Sequence, residues 1–237
     1  MTRRRWIADE FSDSHAALTG PHAEHLAVVL RARVGQEFDI VAGERSHSGR
    51  VTSVSPERVE FELGEVLPQA SFPHISLLIS VFKFDRMEWA IEKCIELGVE
   101  RIVPMIAHRT NAHLGQAAVS RVERWRRIAQ QAAEQSRQST PANIESPMKL
   151  NIAAEMTSGT RIILSENEHQ LSLKDALASH SPGRDLLLAL GPEGGWTDDE
   201  LQLFSKNGWT SASLGPTILR AETAAIAAMA IAFSELS

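Results

Sequence analysis

Gly191-Pro192-Glu193-Gly194-Gly195 and Leu214-Gly215-Pro216-Thr217-Ile218-Leu219-Arg220-Ala221-Glu222-Thr223-Ala224 are the stretches whose reading decides the fold. Each follows a short apolar run, Leu186 to Leu190 before the first and Ala212 to Leu214 before the second, and each opens onto a segment with helical spacing. Strand, glycine turn and helix, twice over, is the pattern of a ligand site at strand ends. A glycine there lacks a Cβ, so the backbone can take otherwise strained angles and a ligand can approach its N–H groups closely. After the first loop, Thr197-Asp198-Asp199-Glu200 forms a capping-box pattern that starts a helix. Neither loop is a dinucleotide fingerprint or a phosphate loop. Glu193 would set like charge against a phosphate, so a positively charged cofactor or a neutral nucleoside suits the loop better. Two ordinary helix-starting turns remain the plain alternative for either loop taken alone.

Outward from the second loop, Thr223 to Leu236 reads as a helix with Ile226, Met229, Ala230 and Phe233 at helical spacing. Small residues elsewhere on it predict close packing on all faces, within the domain or against another subunit. At its mouth, Arg220 and Glu222 fit either an ion pair that pins the turn or a substrate contact. Upstream, Ile75 to Val81 is a nearly continuous apolar run, the pattern of a parallel strand covered on both faces. Asp85 to Leu97 then predicts a helix with Met87, Ala90, Ile91, Cys94 and Ile95 on one side and Gly98 as its stop. Arg101 to Pro104 is the next strand, Ser120 to Arg137 a long helix turning Trp125, Ile128, Ala129 and Ala132 inward. Arg161 to Leu164, Leu173 to Ala178 and Leu186 to Leu190 continue the alternation, which predicts a mostly parallel sheet with helices on both faces. Cys94, the single cysteine, excludes an internal disulfide, argues against a cysteine-based metal cluster and reads as core.

Residues 1–70 have a different texture. Glu37 to Val41, Gly49 to Val54 and Arg58 to Leu63 suit half-buried strands, with a helix over His22 to Leu30. Gly64 to Pro73, which contains Pro68 and Pro73, is the linker candidate, since proline disfavours both helix and central strand. Two domains are expected, 1–70 and 74–237.

The 237-residue chain is 43% hydrophobic and 23% charged, the balance of a soluble globular protein. No apolar run approaches the roughly 18 residues of a membrane helix. The arginine-rich N-terminus has no apolar segment behind it, so it is no secretory signal, and a cytoplasmic location is expected. A net charge of −6 means that nucleic acid would have to be met by local patches. Arg121, Arg124, Arg126, Arg127 and Arg137 on one helix and Arg3 to Arg5 at the terminus are such clusters. From charge patterning alone, a solvated helix face and a charged tail are the plainer reading of them.

The paired loops, G-P-E-G-G and L-G-P-x-I-L-R-x-E-T-A, resemble the C-terminal signature of the knotted SPOUT class of S-adenosylmethionine-dependent RNA methyltransferases. Within that class they resemble the small-subunit (16S) ribosomal RNA uridine-N3 methyltransferase family. Arg86 to Val99, Trp125 to Ser136, and His22 to Leu26 with Val29, Leu30, Arg31 and Gly35 resemble that family's middle and N-terminal motifs. Thr217 departs from it, standing where the family often has arginine.

The resemblance implies a PUA-like, RNA-binding β-barrel followed by a trefoil-knotted α/β domain that works as a homodimer, without a metal or a membrane. It implies S-adenosylmethionine held by Leu190, Gly191, Glu193, Gly194 and Gly195 on one loop and by Leu214, Gly215, Pro216, Ile218 and Leu219 on the other. Under it the catalytic positions are Arg220, placing the base and stabilising charge on its carbonyl oxygens, and Glu222, orienting Arg220 or touching the base. Arg3, Arg4, Arg31, Arg109 and Arg137 are the positions expected to meet RNA, whether as free small-subunit RNA or in an assembled small subunit. Two other classes compete: a non-catalytic RNA-binding or ribosome-assembly factor with the same fold, and a nucleotide-binding hydrolase. The intact loops with Arg220 and Glu222 weigh against the first, and the missing phosphate motifs against the second.

Overall fold

The structure, a computed structural model, describes residues 5–43, 45–67, 73–136, 138, 140–157, 159–181 and 183–236. These divide into two compact units, residues 1–70 together with 134–140, and 71–133 together with 141–237.

The first unit is built on strands β1 (Arg5–Ile7), β2 (Glu10–Phe11), β3 (His15–Thr19), β4 (Glu37–Ala42), β5 (Arg45–Val54) and β6 (Arg58–Val66). They form one sheet in the order β1-β4-β5-β6-β3-β2, antiparallel except for the β1–β4 pair. Alternation buries Phe38, Ile40, Val51, Val59 and Phe61 in one cluster with Leu18, Ala23 and Leu26, so the sheet curls around its own core. The helix expected over His22 to Leu30 is a short α1 (Gly20–Glu24) followed by one π-helical turn (His25–Val29). The linker begins later than its glycine suggests, because Gly64 to Val66 belong to β6, held against β5. Pro68 and its neighbours to residue 72 lie outside the described residues.

In the second unit the elements are β7 (Ile75–Ser80), α2 (Phe84–Glu96), β8 (Arg101–Ile106), α3 (Ala112–Ser136), β9 (Asn143–Ile144), β10 (Met148–Lys149) and α4 (Leu150–Ala154). They continue with β11 (Thr160–Leu164), α5 (Leu173–Leu177), β12 (Leu186–Leu190), α6 (Asp198–Lys206), β13 (Thr210–Ala212) and α7 (Ala221–Leu236). The sheet runs β10-β8-β7-β12-β11-β13, with β9 beside β8, and every pairing among the described residues is parallel.

Continuous apolar strands are explained by what covers them. Ile75, Leu77 and Ile79 of β7, Ile162 of β11 and Leu186, Leu188 and Leu190 of β12 point into a core shared with α2, α3, α5 and α7. Leu78, Ile163, Leu187 and Ala189 point the other way, onto Leu150, Ala153, Trp196 and Phe204. Both faces are therefore dry, as a parallel sheet requires. Cys94 is buried in the first of these cores and burial pushes its thiol well above the ordinary range, so it is packing, not a nucleophile.

Helix α7 is closely packed on one face, not on all faces as its small residues suggest. Its buried stripe is Ala225, Ala228, Met229 and Ala232, packed towards α2 and α5, while Ala230 is exposed and Ile226 and Phe233 are half-buried. Alanines at that spacing let α2 approach closely, with Met229 the one large apolar side chain in the stripe. Among the described residues no helix is long and apolar enough to cross a membrane.

Candidate functional site

Because all the strands run the same way, their carboxyl ends share one edge, where open α/β sheets bind ligands. Three neighbouring strands there, β12, β11 and β13, end in loops that enclose a cavity of about 310 Å³. Of the residues expected at a cofactor, Leu190, Gly191, Glu193, Gly195, Leu214, Gly215, Ile218 and Leu219 line it; Gly194 and Pro216 do not. Ile218 is 83% exposed and forms the rim. Arg220 also lines the cavity, at the start of α7, where its carbonyl oxygen accepts the N–H of Ala224 at 2.8 Å.

Sequence reading missed the middle loop, Ser165-Glu166-Asn167, which sits between the two glycine loops because β11 lies between β12 and β13. Ser165 donates its N–H to the carbonyl of Ala212 at 3.0 Å, and its hydroxyl accepts from Asn167 N–H at 3.2 Å. Glu166 brings a second carboxylate to the cavity beside Glu193. The available signal was the strand Arg161 to Leu164, whose carboxyl end must reach the same edge once the sheet is parallel.

The first loop is held from three sides. Trp196, buried, donates its indole Nε1 to the carbonyl of Leu164 at 2.8 Å and packs edge-on against Phe204. Thr197 and Glu200 form the expected capping box, and Glu200 does more: its Oε2 accepts from Thr197 N–H at 2.8 Å and its Oε1 from His108 N–H at 2.7 Å. That carboxylate is buried and fully occupied, tying the start of α6 to the end of β8. Arg109 donates from Nη1 to the carbonyl of Gly194 at 2.6 Å. Gly195 takes φ +71°, which favours glycine, and a Cβ there would stand 2.5 Å from Glu166 Oε1, the end of an exposed side chain that would have to swing aside.

The structure does not join Arg220 to Glu222. Among the described residues the Arg220 side chain makes no hydrogen bond or ion pair, and its exposed guanidinium is free at the cavity. Glu222 is 6% exposed, lies outside the cavity lining, and faces Arg86 instead, with Arg86 Nε 3.8 Å from its Oε1. The same guanidinium donates from Nη1 to Glu193 Oε1 at 3.4 Å. In the sequence Arg86 stands out only as the start of the stretch Arg86 to Val99. Its signal is a positive charge in the first turn of α2, where the helix dipole favours acids and an arginine needs another reason to be.

The basic positions scatter. Arg3, Arg4 and Arg137 lie outside the described residues. Arg31 is exposed in the first unit, with a left-handed φ of 53°. On α3, Arg124 makes a bidentate pair with Glu88 at 2.6 and 2.8 Å, Arg126 pairs with Glu123 at 2.6 Å, and Arg121 stacks over Phe84. These arginines serve the fold's own surface, which favours the plainer account of that helix.

Residues 69–233 match the RNA methyltransferase domain family. Along 214 residues the chain is 30% identical to the ribosomal RNA small subunit methyltransferase E of Rickettsia conorii, covering 88% of this chain and 85% of that protein. The Bacillus subtilis protein of the same name is 30% identical over 224 residues, 90% of this chain and 87% of that one. A crystal structure of the Neisseria gonorrhoeae ribosomal RNA small subunit methyltransferase E bound to S-adenosyl methionine superposes with a TM-score of 0.80 at 29% identity, covering 96% of this chain and 95% of that one.

Proposed function

Since this chain belongs to the RNA methyltransferase family and to the group of ribosomal RNA small subunit methyltransferase E proteins, we propose that it methylates N3 of a uridine in small-subunit (16S) ribosomal RNA, with S-adenosylmethionine as donor. The observation that carries this reading is the cavity at the carboxyl edge of the sheet, with two glycine loops, two carboxylates and one unpaired arginine around it.

The residues fit that donor. Glu166 and Glu193 repel a polyphosphate and attract a cation, and the glycine loops offer backbone N–H and carbonyl groups without side chains in the way. A volume of about 310 Å³ suits a compact ligand. Leu190, Gly191, Gly195, Leu214, Gly215 and Leu219 would hold it. When bound, S-adenosylmethionine supplies a methyl group on a positively charged sulfur, transferable by direct displacement.

The protein's part is alignment, exclusion of water and control of charge. Uridine N3 gives up its weakly acidic proton to water on the way to the new bond, and until that bond is complete negative charge spreads onto the two flanking carbonyl oxygens. Arg220, free and at the cavity, donates N–H to those oxygens and fixes the base edge. No thiol is required, in keeping with the buried Cys94. Glu222 acts at a distance from the base in this account.

The same reading makes the first unit a PUA-like RNA-binding module and the second a trefoil-knotted SPOUT domain. Supporting the knot, β12 follows β11 in the chain yet lies between β7 and β11, and α7 packs back against α2. Homodimer formation is part of the same reading. Arg31 is the described basic residue with which the first unit meets RNA, and the cytoplasm, where ribosomal subunits are built, is the place of action. Arg220→Ala tests the chemistry. It should bind S-adenosylmethionine within about threefold of the parent and lose about a hundredfold or more in transfer; full transfer activity would refute the assignment.

A further inference from the structure

Arg86 touches neither loop's backbone and does not line the cavity, yet its guanidinium stands between the carboxylates of two segments that do not touch in sequence. Glu193 is in the first glycine loop and lines the cavity; Glu222 is two residues past Arg220, in the first turn of α7. Arg86 itself sits in the first turn of α2, on the rigid framework of the sheet. We propose that Arg86 is a positioning residue that locks the two cofactor loops in register by bridging Glu193 and Glu222. The inference rests on the cofactor reading above.

Three observations carry it. Glu222 is buried, and its Oε2 has no hydrogen-bond partner, so Arg86 is its only compensating charge among the described residues. A dry carboxylate with one oxygen unpartnered and the other held only by a 3.8 Å ion pair is costly as mere packing, and it is tolerated where it sets a geometry. Glu193 is half-exposed, so its pair with Arg86 adds little stability by itself, but it fixes where the loop's one charged side chain points. Arginine suits the task because its planar fork can address two acids from different N–H groups, which the single ammonium of lysine does less well. The consequence is coupling: loosening Arg86 frees both walls of the cavity at once.

The test uses full-length protein and S-adenosylhomocysteine as the calorimetric probe, with Arg86→Met, Arg86→Lys and the double variant Arg86→Met/Glu222→Gln. The single methionine variant strands a buried charge and loses thermal stability; the double variant removes that charge and recovers most of it. A purely structural role would restore probe affinity together with stability. The positioning role leaves the double variant about tenfold weaker in binding, with the lysine variant between it and the parent. Amide exchange without ligand provides a second readout, expected to speed up in 191–195 and 214–219 together in the double variant. Parent-like affinity and parent-like exchange in the double variant overturn the proposal. If the parent protein fails to bind the probe, the cofactor reading falls, and the exchange measurement alone decides whether Arg86 braces the loops.

Discussion

The indole Nε1 of Trp196 lies 2.8 Å from the carbonyl oxygen of Leu164, so the first glycine loop is pinned to the end of the adjacent strand by one buried hydrogen bond. Trp196→Phe keeps an aromatic ring near Phe204 but removes the donor together with part of the buried ring volume packed on Gly191. It should cost about 1–3 kcal/mol, since the Leu164 carbonyl is left unpaired in a buried place. Thermal unfolding measures the loss; an unchanged midpoint would mean that the bond does not hold the loop.

Gly195→Ala introduces a side chain at φ +71° and against Glu166. About 1–3 kcal/mol of backbone strain is expected, together with weaker cofactor binding, because the added methyl pushes the Glu166 carboxylate from its place at the cavity. Gly183→Ala is the control: it has a left-handed φ of +75° but nothing within 4 Å, so it should show strain without a binding defect. Equal binding by both variants would separate Gly195 from the cavity.

His180 is half-buried between Thr160 and the β12 approach, with Nδ1 2.9 Å from Thr160 Oγ1. Burial holds its pKa below the ordinary histidine value, against a smaller opposing contribution from a hydrogen bond with the Arg184 backbone. The folded state therefore binds this proton less readily than the unfolded state. Stability is fully present above the unfolded pKa of about 6.5 and falls as pH drops from there through the folded pKa. Denaturant unfolding should show this slope in the parent protein and a flatter one in His180→Gln. The same slope in both would assign it elsewhere.

Much of this was legible in the sequence, and for physical reasons. The runs Ile75 to Val81 and Leu186 to Leu190 announce strands dry on both faces, and Thr197 with Glu200 announces a helix start. Both are local patterns and both stand in the structure. What sequence could not supply was strand order. Without knowing that β11 lies between β12 and β13, nothing marks Ser165-Glu166-Asn167 as a wall of the cavity. The pairing of Glu222 was missed for a related reason. Arg220 is its neighbour in the chain, but Arg86 reaches it through the packing of α2 on α7, a contact that no spacing encodes. The close packing expected on all faces of α7 is confined to one stripe, where Ala225, Ala228 and Ala232 let α2 and α5 approach, while Thr223, Ala230, Ser234 and Glu235 stay exposed.

The central claim is that this cavity and Arg220 methylate a uridine of small-subunit ribosomal RNA at N3. The direct measurement incubates the purified protein with S-adenosylmethionine and small subunits from cells that lack it, then separates the nucleosides of the RNA by mass. The account expects one N3-methyluridine to appear per subunit, and none with Arg220→Ala. Small subunits that gain no methylated nucleoside, or gain one on another base or another ring position, would contradict it.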